Sequence, residues 1–251
     1  MRILMINPNT TVAVTQCMLA AARSAAAQAT ELVALTAARG LPYIATRAEA
    51  QIGGAIVLEM LAENHVGSDA AIIAAFGDPG LMGARELFDL PVVGAAEAAM
   101  LTACMLGRTF SIVTFSRALG PWYRECVEIH GLTSRLASIR MIGRPFRSVA
   151  DVQEEQQELL VSAANSAISE DEADVVIFGG GPLAGLAEKV KDRIAAPVVD
   201  PMMAAVKQAE ALCALKARKA TKGTFRRPDP KASIGLADAL ARRIEHKDGS
   251  V

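Results

Sequence analysis

The sequence predicts an α/β protein of two pseudo-symmetric halves. Each half is a three-layer unit with a short, mostly parallel sheet flanked by helices, and a cleft lies between them. The first observation behind this prediction is the segment DVVIFGGGPLAG at 174–185, where an apolar run enters three glycines. A short apolar run bounded by turn residues is typical of a buried parallel strand. The second observation is that such runs alternate with helical segments, as in α/β folds. The third is an internal repeat.

The repeat relates two long segments of the chain. When the sequence is laid on itself so that Asp69 falls on Asp174, DAAIIAAFGDPGL matches DVVIFGGGPLAG. The PVV at 91–93 then meets the PVV at 197–199, one residue out of step. A repeat this long indicates two similar α/β halves rather than a solenoid of short units.

The start of the chain has its own counterpart. RILMINPN resembles FSIVTFS at 110–116, which places Asn7 opposite Thr114 and Asn9 opposite Ser116. Because no Ser/Gly-rich linker separates the halves, we expect them to share an interface. The predicted first half is 1–97 plus 208–251, and the predicted second half is 98–207.

The elements of the first half follow from apolar runs whose ends are marked by turn residues. Asn9 or Thr10 can cap the first helix, because their side chains accept hydrogen bonds from free backbone amides. The closing helix is amphipathic, and we expect it to pack on this half. The predicted strands are 2–6, 31–35, 70–75 and 92–93, and the predicted helices end at 23, span 47–64, run from 79 to 87 and close the chain at 236–244.

The second half repeats the alternation. The helix at 151–168 carries an acidic face, which predicts exposure to solvent. Its neighbour at 97–106 is apolar, so we expect Cys104 to be a core thiol rather than a nucleophile. His130 precedes a glycine and is predicted to satisfy carbonyls at a helix end. The predicted strands are 110–113, 138–142, 174–178 and 197–199, and the predicted helices are 97–106, 123–130, 151–168, 183–193 and 201–219.

Composition narrows the class of partner. The chain has 251 residues, 52% of them hydrophobic, and a formal net charge of −1. This charge favours neither nucleic acid nor an anionic membrane. No apolar run reaches the length of a membrane span, and NPN interrupts the apolar start before a secretory leader can form. Four cysteines without paired spacing predict reduced thiols in a cytoplasmic protein. The apolar helical surface predicts a homo-oligomer.

A basic run near the end of the chain has two interpretations. No aromatic platform accompanies it beyond Phe225, so a solvated loop is favoured over a nucleic-acid patch. The run consists of Lys216, Arg218, Lys219, Lys222, Arg226 and Arg227.

The predicted site lies at the carboxyl ends of the strands, where ligands of α/β sheets bind. Its loops begin at Asn7, Phe76, Thr114 and Gly179, and their neutral groups and backbone amides suit a small carboxylate or an amide-bearing ring. The three histidines are far apart and GGGP lacks nucleotide-motif spacing, so we predict no metal and no cofactor. The predicted substrate-binding residues are Asn7, Asn9, Phe76, Gly77, Thr114, Ser116, Gly179 and Gly181.

Five motifs carry a family resemblance. INPNTT at the chain start, AFGDPGL, VVGAAEAAMLTA, VTFS and GGGPLAGLA resemble the Asp/Glu/hydantoin racemase superfamily, in its hydantoin and allantoin racemase branch, over nearly the whole chain. The resemblance implies cofactor-independent catalysis, with one cysteine on each side of the substrate α-carbon. One thiolate would remove the proton and the other thiol would return one from the opposite face.

This sequence departs from the pattern at those two positions. The first family cysteine falls on Ala75 and the second on Gly180, and neither side chain can carry a proton. Asp78 is the ionisable residue inside these two loops and is the tentative catalytic candidate. Its alternative role is to cap the helix that is predicted to begin near Pro79.

Other groups leave the chemistry open. Glu97 and Tyr43 are weaker candidates for the base. The bare amides of GGGP can stabilise an enolate or a tetrahedral oxyanion while water moves the proton. Three functions remain: an isomerase of the racemase type, a lyase or hydrolase acting on a related amide ring, and a binding protein without catalysis.

Overall fold

The computed structural model describes residues 1–248 and contains two four-stranded parallel sheets flanked by helices. The strands are β1 Arg2–Asn7, β2 Glu31–Thr36, β3 Ala70–Ile73, β4 Val92–Gly94, β5 Phe110–Thr114, β6 Leu136–Met141, β7 Val175–Phe178 and β8 Val198–Val199. The α-helices are α1 Val12–Ala25, α2 Arg47–Asn64, α3 Leu81–Leu87, α4 Ala95–Leu106, α5 Leu119–Ile129, α6 Val152–Asp171, α7 Leu186–Val190, α8 Pro201–Ala214 and α9 Asp238–Ile244.

The two sheets have the same strand order. The first runs β2-β1-β3-β4 and the second runs β6-β5-β7-β8, with every neighbouring pair parallel. The apolar runs in β3 and β7 are fully buried, as expected for parallel strands covered on both faces. The predicted fold class is therefore confirmed, and the equal strand order is what the internal repeat predicts.

Helices exchanged between the halves join the two sheets. Helix α4 follows the first sheet in the chain but packs against β7 and β8, whereas α8 follows the second sheet and packs against β3 and β4. The two helices also pack on each other, and α1 packs on α8. One apolar core therefore runs through both halves, from Ile3 and Ile72 to Ile112 and Ile177.

The division into 1–97 plus 208–251 and 98–207 stays a prediction. Its limits lie inside continuous helices, since residues 97 and 98 belong to α4 and residues 207 and 208 belong to α8. The expected interface between the halves is present, because α4 contacts both sheets and also packs on α8, which contacts the first sheet.

Three helices differ from the expectation by a turn or more. Helix α5 begins at Leu119, one turn before the predicted start. The predicted helix 183–193 is broken into a 3-10 turn, the short α7 and a second 3-10 turn, because Gly185 at φ +80° ends the first turn. Helix α8 ends at Ala214 and not near residue 219, since Lys216 adopts a left-handed conformation at φ +52°.

The end of the chain returns to the first half. Helix α9 packs on α2, as predicted for the closing amphipathic helix. Its Arg243 is buried, donates to the Leu87 carbonyl and forms ion pairs with Asp89 and Asp248. Among the described residues, none of the helices combines the length and apolar character that crossing a membrane requires.

Candidate functional site

The loops that follow β3 and β7 meet between the two sheets. Ala75, two residues after β3, and Gly180, two residues after β7, line the same two small cavities. The larger measures about 30 Å³ and the smaller about 10 Å³. The two positions at which the family resemblance predicts cysteines therefore line one shared space. That space is far below the roughly 300 Å³ or more of ordinary ligand pockets, so the cleft is closed in this conformation.

Aromatic side chains from both halves form its walls. The rings of Phe76 and Tyr123 lie 4.7 Å apart, and those of Tyr43 and Phe115 lie 5.7 Å apart. Within residues 1–248 the Tyr43 hydroxyl has no hydrogen-bond partner. Burial raises the pKa of Tyr43 to about 12, and it raises that of Tyr123 well above the ordinary value. Both phenols are therefore neutral near pH 7 and can donate hydrogen bonds but cannot act as bases.

The glycine loop is packed against these walls. Gly180 has φ +129°, a conformation that side chains with L chirality rarely adopt. A Cβ there would lie 2.9 Å from Cε1 of Phe115. At Gly181 a Cβ would lie 3.0 Å from Sδ of Met18. The loop therefore needs glycine both for its backbone and for its close approach to neighbouring side chains.

The structure divides the predicted substrate-binding residues into three groups. Asn9, Phe76 and Gly181 line the closed cleft together with Ala75 and Gly180. Asn7, Thr114 and Gly179 lie beneath it as supports: the Asn7 amide donates to Asn9 and Thr15, and the Thr114 hydroxyl donates to the Gly179 carbonyl at 2.7 Å. Gly77 and Ser116 lie outside the lining of these cavities, and Gly77 borders a separate groove.

Asp78 also lies outside the closed cleft. Its carboxylate accepts hydrogen bonds from the backbone amides of Ala96 at 2.9 Å and Glu97 at 2.8 Å. Asp78 therefore caps α4, the helix of the next βα unit. The predicted alternative, a cap on the helix near Pro79, is wrong. Helix α3 begins instead after Gly80, at φ +82°. Burial is the largest influence on the pKa of Asp78 and raises it above the ordinary value.

His130 connects Asp78 to a wider buried network. Its Nε2 lies 3.5 Å from Oδ2 of Asp78, and its Nδ1 lies 3.4 Å from Oε1 of Glu97. Arg85 holds Glu97 from the other side through two hydrogen bonds. Burial lowers the pKa of His130, but the two carboxylates outweigh it and raise that pKa to about 9. The prediction of a plain helix-end histidine therefore missed a buried charge cluster.

The groove beside this network is larger than the closed cleft. It measures about 560 Å³ and runs between α2, the loop after Phe76 and α5. Asp78, Cys126 and His130 form part of its wall, and Trp122 and Arg47 also border it. Cys104, the predicted core thiol, is half-buried and packs against the core.

Sequence reasoning missed most of the aromatic wall. The residues that line the closed cleft but were not predicted as site residues are Phe115, Trp122, Tyr123 and Val149. The available signal was weak: WY follows the loop after β5, and aromatic residues make up only 4% of the chain.

Known proteins of similar sequence and structure agree with this architecture. The family described as Asp/Glu/Hydantoin racemase matches residues 3–209. A hydantoin racemase from Paenarthrobacter aurescens is 35% identical over 233 residues, covering 92% of this chain and 99% of the relative. The solved allantoin racemase from Klebsiella pneumoniae is 36% identical with a TM-score of 0.90, covering 95% of this chain and 98% of its own.

A second solved structure agrees with the first. The allantoin racemase from Pseudomonas fluorescens is 36% identical with a TM-score of 0.88, and the match covers 94% of this chain and 100% of the chain of that racemase. Family match, sequence identity and backbone similarity all extend over nearly the whole protein, so the chain belongs to the Asp/Glu/hydantoin racemase family.

Proposed function

We propose that the protein is a racemase-like enzyme that acts on small hydantoin-type compounds in the cleft between its halves. The observation that carries the proposal is identity of 35–36%, over at least 92% of this chain, to a hydantoin racemase and to allantoin racemases. These relatives are named for substrates with a cyclic or ureido amide, and the neutral groups around Ala75 and Gly180 suit such a ligand.

The proposed chemistry uses no thiol pair. Removing the proton beside a ring carbonyl places negative charge on the carbonyl oxygen, and hydrogen-bond donors aimed at that oxygen lower the barrier. The candidate donors are the backbone amides of the glycine loop and the neutral hydroxyls of Tyr43 and Tyr123. Since Ala75 and Gly180 have no titratable group, water carries the proton on each face of the substrate.

The cleft has to open before it can bind such a substrate. A cavity of about 30 Å³ holds about one water molecule. Tyr43 and Val149 lie on irregular segments, residues 37–46 and 142–151, that cover it from the first and second halves. Movement of these segments is the simplest way to admit a ligand, because they belong to neither sheet.

Proton exchange at the substrate tests the proposal directly. Enantiopure 5-substituted hydantoins and allantoin are incubated with the protein in heavy water and followed by NMR and circular dichroism. Loss of the C5 proton signal together with loss of optical activity, both faster than in buffer alone, is the expected result. Ring opening without racemisation would favour the lyase or hydrolase, and saturable binding without either change would favour a binding protein.

The glycine loop offers a matched pair of variants. Gly180→Val fills the cleft and is expected to abolish exchange. Gly83→Ala lies on helix α3, where the nearest atoms to an added Cβ are 3.8 Å away, and should leave exchange unchanged. Full turnover by Gly180→Val would exclude this loop from the site.

The proposal also covers the cellular location, the oligomeric state and the cofactor requirement of the enzyme. We infer a cytoplasmic homo-oligomer that needs no cofactor for chemistry in the cleft. The free cysteines fit a reducing compartment, and α4 exposes Leu101, Met105 and Leu106 on its surface. Analytical ultracentrifugation would detect the oligomer, and a monomer at all concentrations would contradict it.

A further inference from the structure

Three side chains of different chemistry converge on the wall of the 560 Å³ groove, away from the closed cleft. Asp78, Cys126 and His130 each offer a ligand atom, and the three atoms all lie within 4.8 Å of one another. The side chains of Asp78 and His130 are 2% and 6% exposed, and Cys126 is also buried. We propose that these three residues bind a divalent transition metal ion, with zinc as the best match.

The spacing of the ligand atoms supports this assignment. Oδ2 of Asp78 and Nε2 of His130 are 3.5 Å apart, which is long for a hydrogen bond. Zinc bonds of about 2.0–2.1 Å place two tetrahedral nitrogen or oxygen ligands roughly 3.4 Å apart. The pair therefore already has the separation that a shared metal ion requires. The thiol reaches the same point by a movement of about an ångström, since sulfur ligands bind zinc at about 2.3 Å.

The helix supplies two of the ligands in a fixed arrangement. Cys126 lies on α5, and His130 is the residue that directly follows this helix. Because the two residues are four positions apart, both project from one face of the helix. Asp78 approaches from the loop after β3, where two backbone amides of α4 hold its carboxylate. One helix therefore positions two of the ligands, and the two amides of α4 position the third.

A carboxylate beyond the ligands completes the pattern. Nδ1 of His130 lies 3.4 Å from Glu97, leaving Nε2 for the metal. A metal-bound histidine usually donates its other ring N–H to such a carboxylate, which orients the ring. Arg85 pairs with Glu97, and a metal ion on Nε2 would replace the proton that faces Asp78, so the Asp78 carboxylate would then balance the bound cation.

The donor set selects the class of metal. One thiolate, one imidazole and one carboxylate suit zinc or cobalt rather than magnesium or calcium, which prefer oxygen ligands. Three protein ligands leave a fourth position, and all three ligands line the groove. The site is therefore built for an ion that keeps one exchangeable water or ligand.

Cobalt binding tests the site without reference to catalysis. Tag-free, reduced and chelator-stripped protein is titrated with Co²⁺. One equivalent should give a thiolate-to-cobalt charge-transfer band and the visible bands of a four-coordinate ion, and Zn²⁺ should abolish both. Cys126→Ser should remove the charge-transfer band, whereas the matched variant Cys104→Ser should retain it. Absence of the band in the wild-type protein, or its survival in Cys126→Ser, would overturn the proposal.

Two further measurements guard against a variant that misfolds. Glu97→Gln keeps the three ligands and should weaken Zn²⁺ binding by about 10- to 100-fold, with the circular dichroism spectrum unchanged. X-ray absorption of the zinc-loaded wild-type protein should show one sulfur among nitrogen and oxygen neighbours. A shell without sulfur would contradict the assignment. None of these results depends on turnover in the cleft, so failure here and failure of the proposed racemase activity are separable.

Discussion

Single glycines shape the closed cleft and the surroundings of Asp78. At Gly180 the backbone conformation and the nearby ring of Phe115 exclude a side chain. At Gly94 the neighbour is the carboxylate of Asp78, whose Cγ would lie 2.4 Å from an added Cβ. The first glycine shapes the closed cleft, and the second leaves room for the residue that caps α4.

Introducing a side chain at Gly180 should destabilise the fold. We expect Gly180→Cys to lower the free energy of unfolding by about 1–3 kcal/mol, because φ +129° strains any L residue. Ala75→Cys, where a Cβ already exists, should cost less than about 1.5 kcal/mol. Urea unfolding of the two variants measures the difference, and equal stabilities would contradict the assigned strain.

Gly94→Ala should dislodge Asp78. The displaced carboxylate would lose its hydrogen bonds from the amides of Ala96 and Glu97. We therefore expect the free energy of unfolding to fall by about 2–4 kcal/mol. Gly83→Ala is the control, and it should be neutral or slightly stabilising because Ala favours helix. Thermal and urea unfolding would report both, and a stable Gly94→Ala protein would show that Asp78 tolerates displacement.

At the scale of elements, the N-termini of α4 and α8 are capped by buried acidic side chains that lie outside the helices themselves. Asp78 caps α4 from a loop in the preceding unit. Asp200 directly precedes α8, accepts from Met202 and Met203, and also accepts from the Gly185 amide in the glycine loop. The glycine loop is therefore attached to the helix that covers the first sheet.

Removing the carboxylate of Asp200 should loosen that attachment. Asp200→Ala leaves three backbone amides without their acceptor, so we expect a loss of about 2–4 kcal/mol in unfolding free energy. Asp200→Asn keeps one acceptor oxygen and should lose less. The exposed Asp192→Ala should change stability by less than about 0.5 kcal/mol. Hydrogen exchange at Gly185 would locate the effect, and unchanged protection in Asp200→Ala would contradict it.

At the scale of the whole molecule, the exchanged helices α4 and α8 make one body of two similar halves. Each helix covers the sheet of the other half, and the apolar core is continuous. The closed cleft lies where the halves meet, so its shape depends on both. A site of this kind cannot form in either half alone.

The halves should therefore unfold together. Trp122 is the single tryptophan and lies beside Gly77 across the two halves, so its fluorescence reports the interface. We expect the fluorescence and far-ultraviolet circular dichroism transitions in urea to coincide, as in two-state unfolding. Two separate transitions would show that the halves are independently stable.

Much of this organisation could be predicted from the chain. Apolar runs, glycine turns and the repeat are patterns of the sequence itself. A buried parallel strand such as β7 consists of consecutive apolar residues, so it can be recognised directly. The motifs that carry the family resemblance are equally local, and they place Ala75 and Gly180 where cysteines are expected. The sequence alone therefore determined the fold class and the family, and it predicts that both thiols are absent.

Only the tertiary structure decided what surrounds those positions. The amides that Asp78 caps, the carboxylates beside His130 and the rings that close the cleft come from segments far apart in the chain. Their contacts depend on how α4, α5 and the loops pack, and no local periodicity records this. Side-chain contacts between distant segments are determined by the packing of the two halves, so they can be seen only in the tertiary structure.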